Sequence, residues 1–258
     1  MSTVDYSFDD AVRLITDIGG YDPSTEAEDL LVKSEDDTQF NELLERRINK
    51  HEPVAYITNH CRFRNLDLYV DRRTLIPRSE TEPLVQIAVE ELPSEARVID
   101  VGTGCGSVAL AVKKERPDLK VTGVDISKDA LDVASINAVA LDLDVDWRYA
   151  DLLEGVKGEF DCVLANLPYL PTTKRSSYEP EMTEYEPEVA LWGGPDGFEL
   201  TRRLLALVQP RKSVQLIALE VGLTQETDVC ELVRSSGFET VFCTTDSRDQ
   251  IRAVVGKR

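Results

Sequence analysis

The sequence predicts an α/β fold, in which a twisted, mostly parallel sheet carries helices on both faces. From residue 96 onward, short apolar runs alternate with helical segments, in the order RVIDVG, VALAVKKER, KVTGVDIS and DALDVASINAVA. This alternation is typical of parallel strands joined by helical crossovers. The chain then closes with ETVFCTTD and IRAVVGKR, which are separated only by SRDQ. So short a connection predicts that the last two strands pair as an antiparallel hairpin at the sheet edge.

Two smaller elements precede the sheet. AVRLITDIGG and FNELLERRINK show helical spacing of apolar residues, and Gly19-Gly20 indicates a turn between helices. CRFRNLDLYVD alternates apolar and polar residues around Arg64-Asn65, which predicts a β-hairpin. We therefore predict a helical domain over residues 1–58, a hairpin linker over residues 59–76 and an α/β domain over residues 77–258.

Charge limits the classes of partner. The 258 residues include 48 acidic and 29 basic side chains, so the formal net charge is -19. A surface this negative repels phosphate backbones and anionic lipid, and the sequence has no dense basic run to offset it. Nucleic-acid and membrane partners are therefore disfavoured. No apolar run is long enough to cross a bilayer.

Cysteine and histidine usage points to a cytoplasmic protein without a metal. The five cysteines are scattered with no CxxC pair, as expected for reduced thiols in the cytoplasm. His51 and His60 are the two histidines, and neither has the spacing of metal ligands. Zinc sites and Ser-His-Asp catalysis are therefore poorly supported.

A glycine-rich turn is the first candidate for ligand binding. The apolar strand VIDV runs into Gly102, Thr103, Gly104, Cys105 and Gly106, and a helix should begin near Ser107. Glycines let the backbone approach a ligand closely at the carboxyl end of a strand, where open α/β sheets bind cofactors. A plain tight turn is the alternative interpretation of this segment alone.

Acidic residues end the next two strands. Asp125, followed by Ile126, can accept both hydroxyls of a ribose, and Asp151, followed by Leu152, can meet an adenine amino group. Capping of the next helix by Asp125 or Ser127 is the alternative. A nicotinamide dehydrogenase shares the first two features, so these residues predict a nucleoside cofactor and leave redox chemistry open.

The loop Asn166-Leu167-Pro168-Tyr169 follows the strand FDCVLA. An Asn side chain and a neighbouring main-chain carbonyl offer two acceptors to the two N–H bonds of a primary amide or amine. The ring of Tyr169 can pack against a planar substrate or a cationic methyl group. This arrangement favours methyl transfer governed mainly by orientation. An ordinary proline-containing loop is the alternative.

The chain resembles the bacterial protein-glutamine N5-methyltransferases that modify peptide-chain release factors. Besides DVGTGCG and the Asn-x-Pro-Tyr loop, the resemblance lies in PVAYI (53–57), LIPRSETE (75–82), EPEVAL (186–191), GGPDG (193–197) and IRAVVG (251–256). It implies a class I methyltransferase (Rossmann-like) fold with a seven-stranded sheet, S-adenosylmethionine as cofactor and a release factor as protein partner. In the family the Asn side chain and the next main-chain carbonyl grip the glutamine amide, and these roles fall on Asn166 and Leu167. Asn166 also adjoins the cofactor.

Two departures leave the substrate open. Leu167 stands where the family usually has proline, and the helical unit that docks the partner in the family is short. A leucine there also resembles ribosomal-RNA adenine dimethyltransferases. Methylation of adenine N6 in RNA or DNA, or of a small-molecule natural product, therefore remains an alternative.

Four residues are assigned to a substrate rim: Arg78, Glu80, Thr81 and Glu186. The first three follow Pro77 in a segment expected to close over the cofactor, although a solvated charge cluster capping the next helix fits equally well. Glu186 lies in the connection over residues 170–197, which exceeds the usual loop length and is therefore read as part of the rim. The sequence makes no prediction of oligomeric state.

Overall fold

Four helices form the amino-terminal part of the computed structural model, which describes residues 6–20 and 22–258. They are α1 (Phe8–Asp17), α2 (Pro23–Lys33), α3 (Asp37–Lys50) and α4 (Val54–Thr58). Ser7 caps α1 in a capping box with Asp10, and Asp22 and Asp36 cap α2 and α3, since their side-chain oxygens accept otherwise unpaired helical N–H groups. The helices share an apolar cluster of their own, formed by Ala11, Ile15, Ala27, Leu30, Phe40, Leu43, Leu44, Val54 and Ile57.

The predicted hairpin follows. Strands β1 (Cys61–Phe63) and β2 (Leu66–Leu68) pair antiparallel, and Arg64 in the turn has a φ of 49°. Phe63, Leu66 and Leu68 are buried against the main core. The hairpin thereby joins the helical unit to the sheet.

The α/β region contains one seven-stranded sheet. Its members are β3 (Arg97–Val101), β4 (Lys120–Asp125), β5 (Asp146–Tyr149), β6 (Cys162–Ala165), β7 (Leu216–Glu220), β8 (Thr240–Thr245) and β9 (Ile251–Lys257). The strand order is β5-β4-β3-β6-β7-β9-β8, and β9 runs antiparallel to both of its neighbours. The predicted fold class is confirmed, with the closing hairpin at one edge and β9 inserted between β7 and β8.

Helices cover both faces of the sheet. They are α5 (Glu82–Glu91), α6 (Ser107–Glu115), α7 (Lys128–Leu141), α9 (Glu199–Val208) and α10 (Glu226–Ser235), whereas α8 (Pro180–Tyr185) lies in the long connection between β6 and α9. Alternate strand residues point to opposite faces, so Val98 packs in the cluster with α5, α6 and α7 while Ile99 packs in the cluster with α9 and α10. Among the helices described, none is both long and apolar enough to span a membrane.

Candidate functional site

Two adjoining chambers lie at the carboxyl ends of the parallel strands, where open α/β sheets bind ligands. The first chamber has a volume of about 830 Å³ including its open mouth, and the second has about 430 Å³. Five residues line both chambers: Leu75, Asn166, Leu167, Pro168 and Ala190. The wall between the chambers is therefore built largely from the predicted substrate loop.

The glycine-rich turn forms one wall of the first chamber. Gly102 has a φ of 75°, and its N–H donates to the Val124 carbonyl at 2.9 Å. A Cβ at Gly102 would lie 3.3 Å from Cδ2 of Leu167, so the turn and the substrate loop are in close contact. This position requires glycine both for its left-handed backbone and for that contact.

Three of the predicted cofactor residues do not line this chamber. Thr103 is buried and donates its hydroxyl to Asp100 at 2.6 Å. Cys105 is also buried, and Gly106 is the residue before α6. These residues shape the turn from behind, whereas Gly102 and Gly104 line the chamber.

Asp125 lies in the first chamber at the end of β4. Its carboxylate accepts the main-chain N–H of Gly104 at 2.9 Å and that of Ser127 at 2.8 Å. Burial raises the pKa of Asp125 above its ordinary range. The cap of α7 is Ser127, which accepts the N–H of Ala130. Asp125 therefore belongs to the chamber and does not cap α7.

The opposite side of the first chamber combines an ion-paired carboxylate with apolar side chains. Asp151 forms an ion pair with Arg203 at 2.8 Å. Ile126 is 46% exposed although it is apolar, and it lines the chamber with Leu152. An exposed apolar side chain beside a fixed carboxylate suits a flat ring that carries an amino group.

Asp100 lies beneath the turn and was not identified from the sequence. It is 1% exposed and accepts the Thr103 hydroxyl and the N–H of Ala109. Burial raises the pKa of Asp100 to about 7. The signal in the sequence is an acid inside the apolar run VIDV, where a charge is costly unless it is compensated.

The stability of the Asp100→Asn variant, measured relative to the wild type, should increase as the pH rises. Because the folded-state pKa lies above the ordinary value of 3.8, protonation favours the folded protein at low pH, and this contribution is lost as the pH rises through about 7. The full loss corresponds to roughly 4 kcal/mol. Thermal unfolding without cofactor should therefore show a difference between variant and wild type that widens from pH 5 to pH 8. The exposed Asp132→Asn is the control; a constant Asp100→Asn difference would contradict the assignment.

The substrate loop is held from both ends. Nδ2 of Asn166 donates to the Thr81 hydroxyl at 3.1 Å, so Oδ1 of Asn166 remains available as an acceptor. The main-chain carbonyl of Tyr169 accepts from Nε2 of Gln225 at 3.0 Å, and the Tyr169 hydroxyl donates to Oε1 of Glu220 at 3.5 Å. Tyr169 lines only the second chamber, whereas Asn166, Leu167 and Pro168 line both chambers.

The connection over residues 170–197 covers the second chamber. Arg78 lines this chamber and forms an ion pair with Glu186, whose other oxygen accepts the N–H of Ile76 at 3.1 Å. Arg47 of the helical unit pairs with Glu181 at 2.9 Å. The connection is therefore fastened both to the segment before α5 and to the amino-terminal helices.

The four predicted rim residues occupy different locations in the structure, and only one of them lines a chamber. Arg78 lines the second chamber, but Glu80 pairs with Arg252 at 3.8 Å, Thr81 is buried behind Asn166, and Glu186 is buried against Arg78. The segment that borders the first chamber is instead residues 73–75. Glu80, Thr81 and Glu186 thus contact other protein side chains and do not line either chamber.

No group of His, Cys, Asp and Glu within residues 6–20 and 22–258 could hold a metal ion.

Comparison with known proteins identifies the family. The family model "Methyltransferase small domain" matches residues 80–180. The release factor glutamine methyltransferase of Koribacter versatilis strain Ellin345 is 35% identical over 87% of this chain and 81% of its own. The enzyme of that name from Streptococcus pneumoniae strain R6 is 37% identical over 79% of this chain and 74% of its own. The chain belongs to the release factor glutamine methyltransferase family.

A solved structure supports the same fold for this methyltransferase. The crystal structure of a methyltransferase from Pyrococcus furiosus superposes with a TM-score of 0.58 at 16% identity, covering 83% of this chain and 96% of the other. At this identity the match shows the fold alone. Family membership excludes the dehydrogenase interpretation, and it implies S-adenosylmethionine as methyl donor.

The first chamber fits such a donor. A Cβ at Gly104 would meet nothing within 4 Å, so open space borders the turn. Asp125 presents a carboxylate at a strand end, as ribose hydroxyls require, and the apolar Ile126 and Leu152 line the same chamber. Glu220, Arg203 and residues 73–75 also line these chambers and were not identified as site residues from the sequence. Glu220 is recognisable in the sequence as an acid at the end of the apolar run LIALE, whereas nothing in the sequence distinguishes Arg203.

Proposed function

We propose that the enzyme transfers a methyl group from S-adenosylmethionine to the side-chain amide nitrogen (N5) of a glutamine in a peptide-chain release factor. The observation that carries this proposal is the state of Asn166. Because its Nδ2 is bound to Thr81, its Oδ1 serves as an acceptor on the wall shared by the two chambers. A primary amide entering the second chamber can donate one N–H to Oδ1 and the other to the carbonyl of Leu167.

Residues of the first chamber would hold the cofactor. We assign the ribose hydroxyls to Asp125, the adenine amino group to Asp151, the faces of the adenine to Ile126 and Leu152, and the remainder to the turn at Gly102 and Gly104. When bound, the cofactor supplies an electrophilic methyl group on a sulfonium, with a thioether as a good leaving group. The positive charge suits a site bordered by Asp125 and underlain by Asp100.

The protein's own contribution to the reaction is orientation. With both N–H bonds held by Asn166 and Leu167, the lone-pair face of the amide nitrogen is turned toward the first chamber. Tyr169 packs against the planar amide from the second chamber. Holding the two reactants in line supplies the rate enhancement. The nitrogen releases one proton after it has gained the methyl group, so no strong general base is required.

The partner would dock on the amino-terminal side. We propose the division into residues 1–58 for docking, 59–76 as hairpin linker and 77–258 for catalysis; residues 1–5 and residue 21 lie outside the described part of the chain. Arg47 links the helical unit to the cover of the second chamber through Glu181, so a protein bound there lies close to that cover. The net charge of -19 supports a protein substrate over RNA. A cytoplasmic location is part of this proposal, because release factors act there.

A methyl-transfer assay tests the proposal. Purified release factor, its variant with the loop glutamine replaced by alanine, and total RNA are offered side by side with radiolabelled S-adenosylmethionine. Label on the unmodified factor alone is the expected result. Label on RNA would replace the proposal with adenine methylation, and label on neither, with cofactor bound, would point to a small-molecule substrate.

A further inference from the structure

Glu220 is a buried carboxyl group in the second chamber to which the reaction above assigns no role. It is the last residue of β7, is 8% exposed and lines this chamber. Its Oε1 accepts the Tyr169 hydroxyl at 3.5 Å, whereas its Oε2 is buried without a hydrogen-bond partner among the described residues. A buried carboxyl group with an unused oxygen is costly for stability, so its position calls for a functional reason.

Thr81 connects Glu220 with Asn166. The Thr81 side chain is buried, and its hydroxyl oxygen accepts Nδ2 of Asn166 at 3.1 Å. Since a hydroxyl has a single proton, Thr81 can direct that proton to one acceptor. Glu220 is beside it, and the Thr81 hydroxyl opposes the rise in the pKa of this carboxyl group, whose Oε2 is a buried acceptor without a partner among the described residues. The three side chains thus form the series Asn166, Thr81, Glu220.

We propose that Glu220 is a positioning residue for methyl transfer: it holds Tyr169 directly and Asn166 through Thr81. This inference rests on the proposed function, because it concerns how the loop presents its acceptors to an amide. It also assigns Thr81, expected at the substrate rim, to the support of Asn166.

The orientation of Asn166 decides whether a primary amide can bind. If the side chain rotated by half a turn about its last bond, its NH₂ group would face the substrate's N–H bonds, and both sides would be donors. A Thr81 hydroxyl committed as donor to Glu220 can only accept from Asn166. It therefore selects the orientation in which Nδ2 faces Thr81 and Oδ1 serves the substrate.

The charges around Glu220 set the pH at which this support operates. Burial, with a smaller contribution from Glu80, raises the pKa of Glu220 to about 7 against the opposing effects of Thr81, Arg252 and Tyr169. Arg252 is shared with Asp246 at 3.0 Å and Glu80 at 3.8 Å, and Arg78 lines the same chamber. The ionised carboxylate is the form that has acceptor oxygens for both the Tyr169 and the Thr81 hydroxyl. The turnover rate should therefore increase as the pH rises through about 7.

Two pairs of variants test the inference, with the full-length enzyme and release factor as substrate. Thr81→Val removes the hydroxyl, while Thr81→Ser keeps it; Glu220→Leu removes the carboxyl group, while Glu220→Gln keeps its shape but cannot ionise. We expect kcat to fall about 100-fold in Thr81→Val and Glu220→Leu, and Thr81→Ser to retain most of the rate. The Kd for S-adenosylmethionine, measured by calorimetry, should stay within about twofold, because neither residue lines the first chamber. Glu220→Gln should lose the rise in kcat near pH 7.

The outcomes separate this inference from the proposed function. Thermal unfolding confirms that each variant is folded, and the exposed Glu231→Gln controls for the lost charge. Wild-type turnover in both Thr81→Val and Glu220→Leu would overturn the positioning role. An equal loss in Thr81→Ser and Thr81→Val would assign Thr81 to packing, and a pH profile unchanged in Glu220→Gln would remove the carboxylate from the reaction. If the wild-type enzyme itself fails to label the release factor, the proposed function has failed and the inference fails with it.

Discussion

Replacing Asn166 with alanine should lower the rate of methyl transfer to the release factor by about a thousandfold, while S-adenosylmethionine still binds. Oδ1 of Asn166 is the side-chain acceptor that we assign to the substrate amide, and alanine leaves that amide without a fixed orientation. The first chamber retains Gly102, Gly104, Asp125 and Asp151 on its walls. Single-turnover methyl transfer at saturating substrates, with calorimetric titration of the cofactor, measures the two effects separately.

Asn166→Asp serves as the matched variant. The aspartate keeps an acceptor oxygen on a side chain of similar size, but it cannot donate to the Thr81 hydroxyl. In the wild-type protein that hydroxyl accepts from Nδ2 of Asn166 at 3.1 Å. We expect a rate between those of wild type and Asn166→Ala. Undiminished transfer by Asn166→Ala would contradict the role of Asn166 in binding the substrate amide. A parallel loss of cofactor affinity would show that Asn166 contributes to cofactor binding.

Gly102→Ala should weaken cofactor binding by at least about 100-fold, or roughly 3 kcal/mol. The glycine has a φ of 75°, which an L side chain adopts at a cost of roughly 1–2 kcal/mol. An added Cβ would also press on Leu167 at 3.3 Å. The turn must then shift away from the loop, and the wall of the first chamber shifts with it. Equilibrium dialysis with labelled S-adenosylmethionine measures the affinity.

Gly155→Ala is the control for backbone strain. Gly155 has a similar φ of 69°, but a Cβ there would meet nothing within 4 Å, and it does not line the chamber. Both variants should lose comparable thermal stability from strain, and only Gly102→Ala should lose cofactor affinity. Equal affinity in the two variants would show that close approach at Gly102 does not matter for binding.

Most of the fold was predictable because its signals are local. The strand and helix alternation, the hairpin at Arg64 and the antiparallel closing strands depend on periodicity and on short connections, and the structure confirms the predicted fold class. The prediction of the family, confirmed by the relatives, rested on segments that are continuous in sequence. The roles of the individual site residues stay predictions.

The chain by itself determined which strands end in a glycine, an acid or an asparagine, because each of those choices is made within a few residues. Tertiary structure alone decided what lies beside them. It set Thr81 against Asn166 and Glu220 against Tyr169, and it turned Glu186 inward to Arg78. The physical reason is that hydrogen bonds between segments distant along the chain depend on strand order and helix packing, which residue spacing does not encode. A buried acid such as Glu220 is visible as a residue type, but its partners exist only once the sheet is assembled.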